Sequence, residues 1–271
     1  MEYRSTVAHM QGTESCTAPT GYCGIPCTIQ TSTPNLFRKT AISRTPLTKA
    51  KAMKEEKANI AELDQRAAAR QQQSQDEITT AKRHEADLMS PYGIKFRECL
   101  ASDNQPLPDP IAFFLDTSGS MGHVPDQLTK GDLPRLLERM TQMGSVGNQN
   151  PQLCMNGVAD LRDKFPIQVG QYEGDNRFDD WLVRIQIDGG SGSQRMHEAY
   201  MLALYILARK TACECWDRQK KGHAFITGDE MCNSVLLASD VERIFGDTIH
   251  QDLHLDQLIR EVRLKWHLSF L

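Results

Sequence analysis

The stretch IAFFLDTSGSMGHVP, residues 111–125, passes from five apolar residues to a polar turn. The apolar run IAFFL is short and is followed by polar residues, which predicts a buried strand. Asp116, Ser118 and Ser120 follow at alternate positions, so an extended turn directs their side chains toward one point. Carboxylate and hydroxyl oxygens suit Mg2+ and are poor ligands for soft metals. The stretch therefore predicts a strand that ends in a cation site. Simple capping of the following helix by Asp116 and Ser118 is the alternative.

Short apolar runs alternate with amphipathic stretches after residue 110. This alternation predicts an α/β fold, in which helices cover both faces of a mainly parallel sheet. Such sheets bind ligands at the carboxyl ends of their strands, where the Asp116 turn is expected. The segments predicted as strands are IAFFL, LCMNGVADL, FPIQVGQYE, GHAFITG and KWHLSFL. The segments predicted as helices are residues 126–143, MHEAYMLALYILARKT, SDVERIFG and LHLDQLIREVRL, while FDDWLVRI is a short helix or an irregular segment.

The DxSxS pattern, present here as DTSGSM directly after FFL, resembles the metal ion-dependent adhesion site of the von Willebrand factor type A family. The resemblance covers residues 110–271 and implies a Rossmann-like domain. In this family the site takes a Thr from a loop before a central helix and an Asp from the loop after the fourth parallel strand. The resemblance also implies Mg2+ as the bound ion, with Mn2+ or Ca2+ as substitutes.

Two later loops stand where the family takes its other ligands. GGSGSQ precedes the most apolar helix and offers Ser191 and Ser193 in place of a Thr. ITGDE ends the strand GHAFI and offers Asp229, with Glu230 as the alternative. Family members often place the Asp directly after a Thr, whereas Gly228 intervenes here. The metal ligands implied by the resemblance are thus Asp116, Ser118, Ser120, Ser191, Ser193, Asp229 and Glu230.

The family's mechanism implies binding rather than catalysis. In these domains the ion keeps a vacant coordination position, which an acidic side chain of a partner protein fills. The resemblance thus implies a non-enzymatic, metal-dependent protein-interaction module, an adaptor or assembly subunit of a larger complex, with a chaperone-like ATPase as one class of partner. One alternative is a metal-dependent hydrolase or phosphatase, for which His123 is the nearby candidate base. Another is a structural subunit in which the metal is incidental.

The part of the chain before the Asp116 strand divides by composition. Residues 1–47 are rich in Thr, Ser, Pro and Gly, which predicts loops or an arm that a partner orders. Residues 48–88 contain mostly good helix formers, and residues 89–109 form a linker. A thin apolar stripe recurs every seven residues from Met53, as in a weak coiled coil. We expect this long helix to dock on the body or on a partner, with a solvated linker helix as the alternative. Residues 110–271 then form the von Willebrand factor type A-like domain, which is short at its C-terminus relative to the family.

Composition excludes several other classes. The formal net charge of -4 gives no excess of Lys and Arg of the kind that nucleic-acid-binding proteins carry. No run of about 18 or more apolar residues is present, so no membrane-spanning helix is expected. The eight cysteines are scattered, which agrees with free thiols in a reducing compartment. We therefore expect a cytoplasmic protein without a membrane partner, and the charge balance does not indicate a nucleic-acid partner.

Overall fold

The computed structural model describes residues 59–73, 88–121, 150–187 and 198–271, together with positions 127 and 130. All of these residues belong to the second of two structural units, Lys51–Leu271. The arm predicted over residues 1–47, most of the helix predicted over residues 126–143 and the GGSGSQ loop lie outside the described residues.

Each of the five segments predicted as strands contains a strand in the structure. The predicted helices within the described residues are also present. FDDWLVRI contains a short helix. The strands are β1 (Arg97–Cys99), β2 (Asp109–Asp116), β3 (Pro151–Val158), β4 (Ile167–Val169), β5 (Thr211–Cys213), β6 (Gly222–Ile226), β7 (Val235–Leu236), β8 (Leu253–His254) and β9 (Trp266–Phe270). The α-helices are α1 (Ile60–Gln71), α2 (Arg177–Leu182), α3 (Tyr200–Arg209), α4 (Ala238–Phe245) and α5 (Leu255–Lys265).

Five of the strands form a central sheet in the order β4, β3, β2, β6, β9. Its strand pairs are parallel except for β3 with β4, which is antiparallel. Two small pairs lie outside this sheet, β1 with β5 and β7 with β8. The described part of the chain is therefore mixed α/β with a mostly parallel central sheet, as the alternation predicts.

The register of the parallel strands aligns their carboxyl ends. Asp116 of β2 pairs with Val158 of β3, and Phe114 of β2 pairs with Ile226 of β6. Three chain segments thus leave the sheet side by side, after Asp116, Val158 and Ile226. This side of the sheet is termed the carboxyl edge, and it is where ligands of parallel sheets bind.

β2 occupies the centre of the sheet, and all eight of its residues are buried. Alternate side chains of a strand point to opposite faces. Ala112 and Phe114 accordingly join a hydrophobic cluster with α3, α4 and α5, whereas Ile111, Phe113 and Leu115 join another with α1 and α2. A strand that is covered on both faces needs a continuous apolar run, which explains why IAFFL shows no polar alternation.

α3 is the most apolar helix of the described residues, and its residues from Tyr200 to Ala208 are all buried. Its last residue, Arg209, forms an ion pair of 2.9 Å with Glu261 of α5. With ten residues, α3 is well short of the roughly 20 that a bilayer requires. No helix in the described ranges is both long and apolar enough to cross a membrane.

α1 packs against the body, which is one of the arrangements expected for the N-terminal helix. Asn59 caps its first turn by accepting a hydrogen bond from the Glu62 backbone N–H, and Leu63 is fully buried in the cluster that covers one face of β2. Near its C-terminal end, Arg70 donates two hydrogen bonds of 2.8 and 2.7 Å to the Asp179 carboxylate of α2. The flanking parts of the helix predicted over residues 48–88 lie mostly outside the described residues, so its full length and the coiled coil remain predictions.

Candidate metal centre at the carboxyl edge

Asp116 ends β2, and its side chain is fully buried. Its Oδ2 atom accepts a hydrogen bond of 2.5 Å from the Tyr200 hydroxyl, and its Oδ1 atom accepts one of 2.9 Å from the Ser118 backbone N–H. The second bond is that of an Asx turn. Most of the helix over residues 126–143 that Asp116 and Ser118 would alternatively cap lies outside the described residues. Each carboxylate oxygen has two lone pairs. Both bonds therefore leave Asp116 able to bind a cation as well.

The turn after Asp116 is attached to the neighbouring strand. The backbone N–H and the hydroxyl of Thr117 both donate to the Val158 carbonyl oxygen, at 2.7 and 3.0 Å. Ser118 is buried and is followed by the 3-10 helix Gly119–Met121, which contains Ser120. The chain thus holds the Ser118 side chain beside the Asp116 carboxylate rather than in solvent.

The loop after β6 meets Asp116 from the other side. The Asp116 backbone N–H donates to the Thr227 hydroxyl oxygen at 3.0 Å, and the Thr227 N–H donates to the Phe114 carbonyl at 3.0 Å. Next along the chain, Gly228 lies against Tyr200, and a Cβ atom at position 228 would stand only 2.0 Å from the Tyr200 hydroxyl oxygen. Gly228, which separates Thr227 from the acidic pair in ITGDE, therefore leaves the space through which Tyr200 reaches Asp116.

Replacing Gly228 with Ala is expected to destabilise the fold by about 1 to 3 kcal/mol or more, because the added methyl overlaps a buried ring and overpacked sites are costly. Chemical denaturation of the variant and the wild type measures this difference. Tyr200→Phe is the matched control, because it removes the hydrogen bond to Asp116 without adding an atom. An unchanged midpoint for Gly228→Ala would contradict the close approach of Tyr200.

Glu198 is a second buried carboxylate at the carboxyl edge, with 5% of its surface exposed. An antiparallel bridge between Asp160 and Glu198 and a bond of 3.0 Å from the Ala199 N–H to the Ala159 carbonyl hold this segment beside the end of β3. Burial, followed by the charges of Asp116, Asp160 and Glu230, raises the pKa of Glu198 to about 8, although a hydrogen bond with Ser118 opposes the shift. The charges that act most strongly on Glu198 are therefore all negative.

One polar atom at the carboxyl edge is suited to a cation. Glu198 Oε2 is buried and accepts no hydrogen bond from the described residues, although buried polar atoms are nearly always paired. It lies in the field of a second buried carboxylate, so the ionised form of Glu198 requires a counter-charge. No group of three or more His, Cys, Asp or Glu side chains in the described ranges is arranged to hold a metal. The candidate donors at the carboxyl edge are instead two carboxylates, Asp116 and Glu198, and the Ser118 hydroxyl, all hard oxygen donors of the kind that Mg2+ prefers.

The metal ligands expected from the sequence differ in how close they lie to Asp116 and Glu198. Ser118 and Asp116 are adjacent to Glu198, and the charge of Glu230 also acts on it. Asp229 and Glu230 are both exposed, and the Glu230 backbone forms a hydrogen bond with the Tyr200 hydroxyl. The remaining expected ligands and the alternative base lie where the structure gives no side-chain description, and these are Ser120, Ser191, Ser193 and His123.

Sequence reasoning missed Glu198, Tyr200 and Thr227 as parts of this centre. Tyr200 reads as one more apolar residue of α3, yet a buried Tyr hydroxyl usually has a polar partner, which is the signal that was available. Burial and the bond to Asp116 both raise the pKa of Tyr200, so its hydroxyl stays protonated and donates to the carboxylate. Glu198 reads as an ordinary acidic residue at a helix start, and nothing in its sequence neighbourhood indicates burial.

Comparison with protein-family models gives no match, and a search of curated proteins gives no significant match either.

Proposed function

We propose that this chain contains a von Willebrand factor type A-like domain that binds a divalent cation, Mg2+ in the first place, and uses it to bind a partner protein. The observation that carries the proposal is the pair of buried carboxylates, Asp116 and Glu198, at the carboxyl edge, where one oxygen of Glu198 has no hydrogen-bond partner among the described residues. A divalent cation would compensate both charges at once.

The position of DTSGSM supports the same proposal. The motif follows the central strand of a mostly parallel sheet, and the ITGDE loop follows the adjacent strand β6. The resemblance requires that these two loops leave the sheet on the same side, and the register of β2 with β6 meets that requirement. β6 is the fourth strand of the central sheet in chain order and the third of its parallel strands.

Asp116 and Ser118 would hold the ion, with Ser120, Ser191, Ser193 and either Asp229 or Glu230 as the further candidates from the resemblance. When bound, the ion supplies a positive centre that attracts an oxygen donor of another molecule. Tyr200 and Thr227 orient the Asp116 side chain and backbone through their hydrogen bonds. Asp229 and Glu230 are exposed, which supports a contact between this loop and a partner.

A protein with such a centre would act as an adaptor or assembly subunit rather than as an enzyme. The partner would present an acidic side chain to the ion, and a chaperone-like ATPase is the class of partner that the resemblance suggests. In this proposal, the described residues around Asp116 bind the ion and orient its ligands.

Affinity capture with the full chain tests this proposal. We expect a defined partner to bind in Mg2+ and to be lost in EDTA, because the partner's carboxylate reaches the chain through the ion. Ser118→Ala should weaken capture, since it removes a hydroxyl ligand. Ser102→Ala serves as the control, because Ser102 lies in the loop before the amino end of β2 and not at the carboxyl edge. Partners that stay bound equally in Mg2+, in EDTA and with Ser118→Ala would contradict metal-dependent binding.

A further inference from the structure

One carboxylate oxygen of Glu198, Oε2, is buried and has no hydrogen-bond partner among the described residues. Among the described residues, the buried side-chain nitrogen and oxygen atoms with no hydrogen-bond partner are Arg97 Nε, Glu198 Oε2 and Trp216 Nε1. Of these, Glu198 Oε2 is the acceptor, and it belongs to a group that is 95% buried, since its exposed fraction is 5%. A buried carboxylate oxygen without a donor is costly, so it indicates a ligand at this point.

The backbone holds Glu198 in place. Glu198 is bridged to Asp160, and Ala199 is bonded to Ala159, so the chain just before α3 is tied to the end of β3. From there the Glu198 carboxylate forms a hydrogen bond with Ser118 and lies in the field of Asp116. Both of these residues belong to the DTSGSM turn. The unpaired oxygen and the proposed metal ligands thus share one small region of the carboxyl edge.

Capping of α3 does not account for this carboxylate. An acidic side chain next to a helix start is often stabilised by bonds from the first backbone N–H groups. The residue at the cap position of α3 is Ala199, whose side chain makes no capping hydrogen bond, and Glu198 Oε2 accepts no bond from a backbone N–H of the described residues. Glu198 is therefore not positioned for a local helical role.

We propose that Glu198 is a direct ligand of the cation, so that the chain itself supplies two negative charges to the site. This inference rests on the proposed metal site and departs from the resemblance, which implies a hydroxyl ligand from the loop before the central helix. Here the segment before α3 presents a carboxylate instead. Asp116 and Glu198 together match the charge of a divalent ion, so the ion is retained before any partner binds. The partner's oxygen then completes the coordination and is not needed to hold the ion.

Manganese binding to the full chain, followed by the electron paramagnetic resonance of free Mn2+, tests the proposal. Glu198→Gln is expected to lower the Mn2+ affinity at least about tenfold, because it removes a charged ligand, and even supporting residues of metal sites contribute about 10 to 100-fold. Asp160→Asn is the matched control for a nearby charge, because the Asp160 carboxylate accepts a bond from the Arg162 N–H in its own turn. An effect of Glu198→Gln no larger than that of Asp160→Asn would overturn the proposal.

Two further measurements separate ligation from a structural role. A merely structural Glu198 would lower the melting temperature of the metal-free protein when it is replaced. We expect the metal-free Glu198→Gln variant to melt at the same temperature or higher, since the replacement breaks no hydrogen bond of Oε2. Its Mg2+-dependent increase in melting temperature should be largely lost. Luminescence lifetimes of bound Tb3+ in H2O and D2O should report about one more coordinated water in Glu198→Ala than in the wild type.

The Asp116→Asn variant distinguishes a failure of the metal site itself from a failure of the ligand role of Glu198. If Asp116→Asn reduces Mn2+ affinity and Glu198→Gln does not, the metal site stands and the role of Glu198 is wrong. If neither variant changes Mn2+ affinity, the metal site itself is wrong. A lower metal-free melting temperature for Glu198→Gln, with an unchanged Mg2+ response and an unchanged Tb3+ water count, would likewise reject ligation by Glu198.

Discussion

Replacing Asp116 with Asn is expected to lower the affinity of the full chain for Mg2+ by at least about 100-fold, more than the loss of a supporting residue usually costs. Asp116 is the best-placed charged donor, because it is fully buried at the end of the central strand and is oriented by bonds from Tyr200 and Ser118. Isothermal titration with Mg2+ measures the loss directly.

Asn is the informative replacement because it keeps the shape of the side chain. Its carbonyl oxygen can still accept the Ser118 N–H, so the turn after β2 is retained, and circular dichroism should show an unchanged fold. Asp256→Asn is the control, since Asp256 is exposed and pairs with Arg260 on α5. Equal Mg2+ affinities for Asp116→Asn and the wild type would contradict a metal site at DTSGSM.

Removing the Arg70 guanidinium is expected to produce the largest loss of stability, about 3 to 5 kcal/mol, because it leaves the buried Asp179 carboxylate without its main partner. The Asp179 side chain is 2% exposed and receives two hydrogen bonds from Arg70. Arg66 approaches Asp179 at 3.6 Å and compensates in part, which favours the lower end of this range. Urea denaturation of Arg70→Met measures the loss of free energy of unfolding.

The double variant Arg70→Met with Asp179→Leu serves as the control. Replacing both members of a buried ion pair with apolar residues is often neutral, so the double variant should recover most of the stability lost in Arg70→Met. Limited proteolysis should also cut Arg70→Met within α1 faster than the double variant, because the Arg70–Asp179 pair holds this helix on α2. A loss below about 1 kcal/mol in the single variant, the level of exposed pairs, would contradict this role.

The order of strands and helices could be predicted from the sequence because short apolar runs and helical periodicity are local signals. IAFFL and KWHLSFL became strands and MHEAYMLALYILARKT became a buried helix on that basis. The direction of β4 could not be predicted, because an apolar alternation is the same for parallel and antiparallel strands. The docking of α1 was also open, since it depends on a polar pair, Arg70 with Asp179, that lies 109 residues apart in the chain.

The candidate site could be predicted in part, for a similar reason. Asp116 and Ser118 form a local pattern after a strand, so the sequence identifies them. Glu198 and Tyr200 reach the same place only through the packing of α3 and the bridge to Asp160, which no local pattern reports. Gly228 looked like a departure from the family's spacing, and the structure gives it a steric role, because Tyr200 occupies the space beside it.

A crystal of the full chain grown in Mn2+, with data collected at the manganese absorption edge, tests the metal site most directly. We expect one anomalous peak at the carboxyl edge, roughly 2.0 to 2.6 Å from oxygen atoms of Asp116 and Ser118, with Glu198 Oε2 at a similar distance. Saturating Mn2+ that gives no peak beside Asp116, or peaks at other places alone, would contradict the proposal that this edge of the sheet binds a divalent cation.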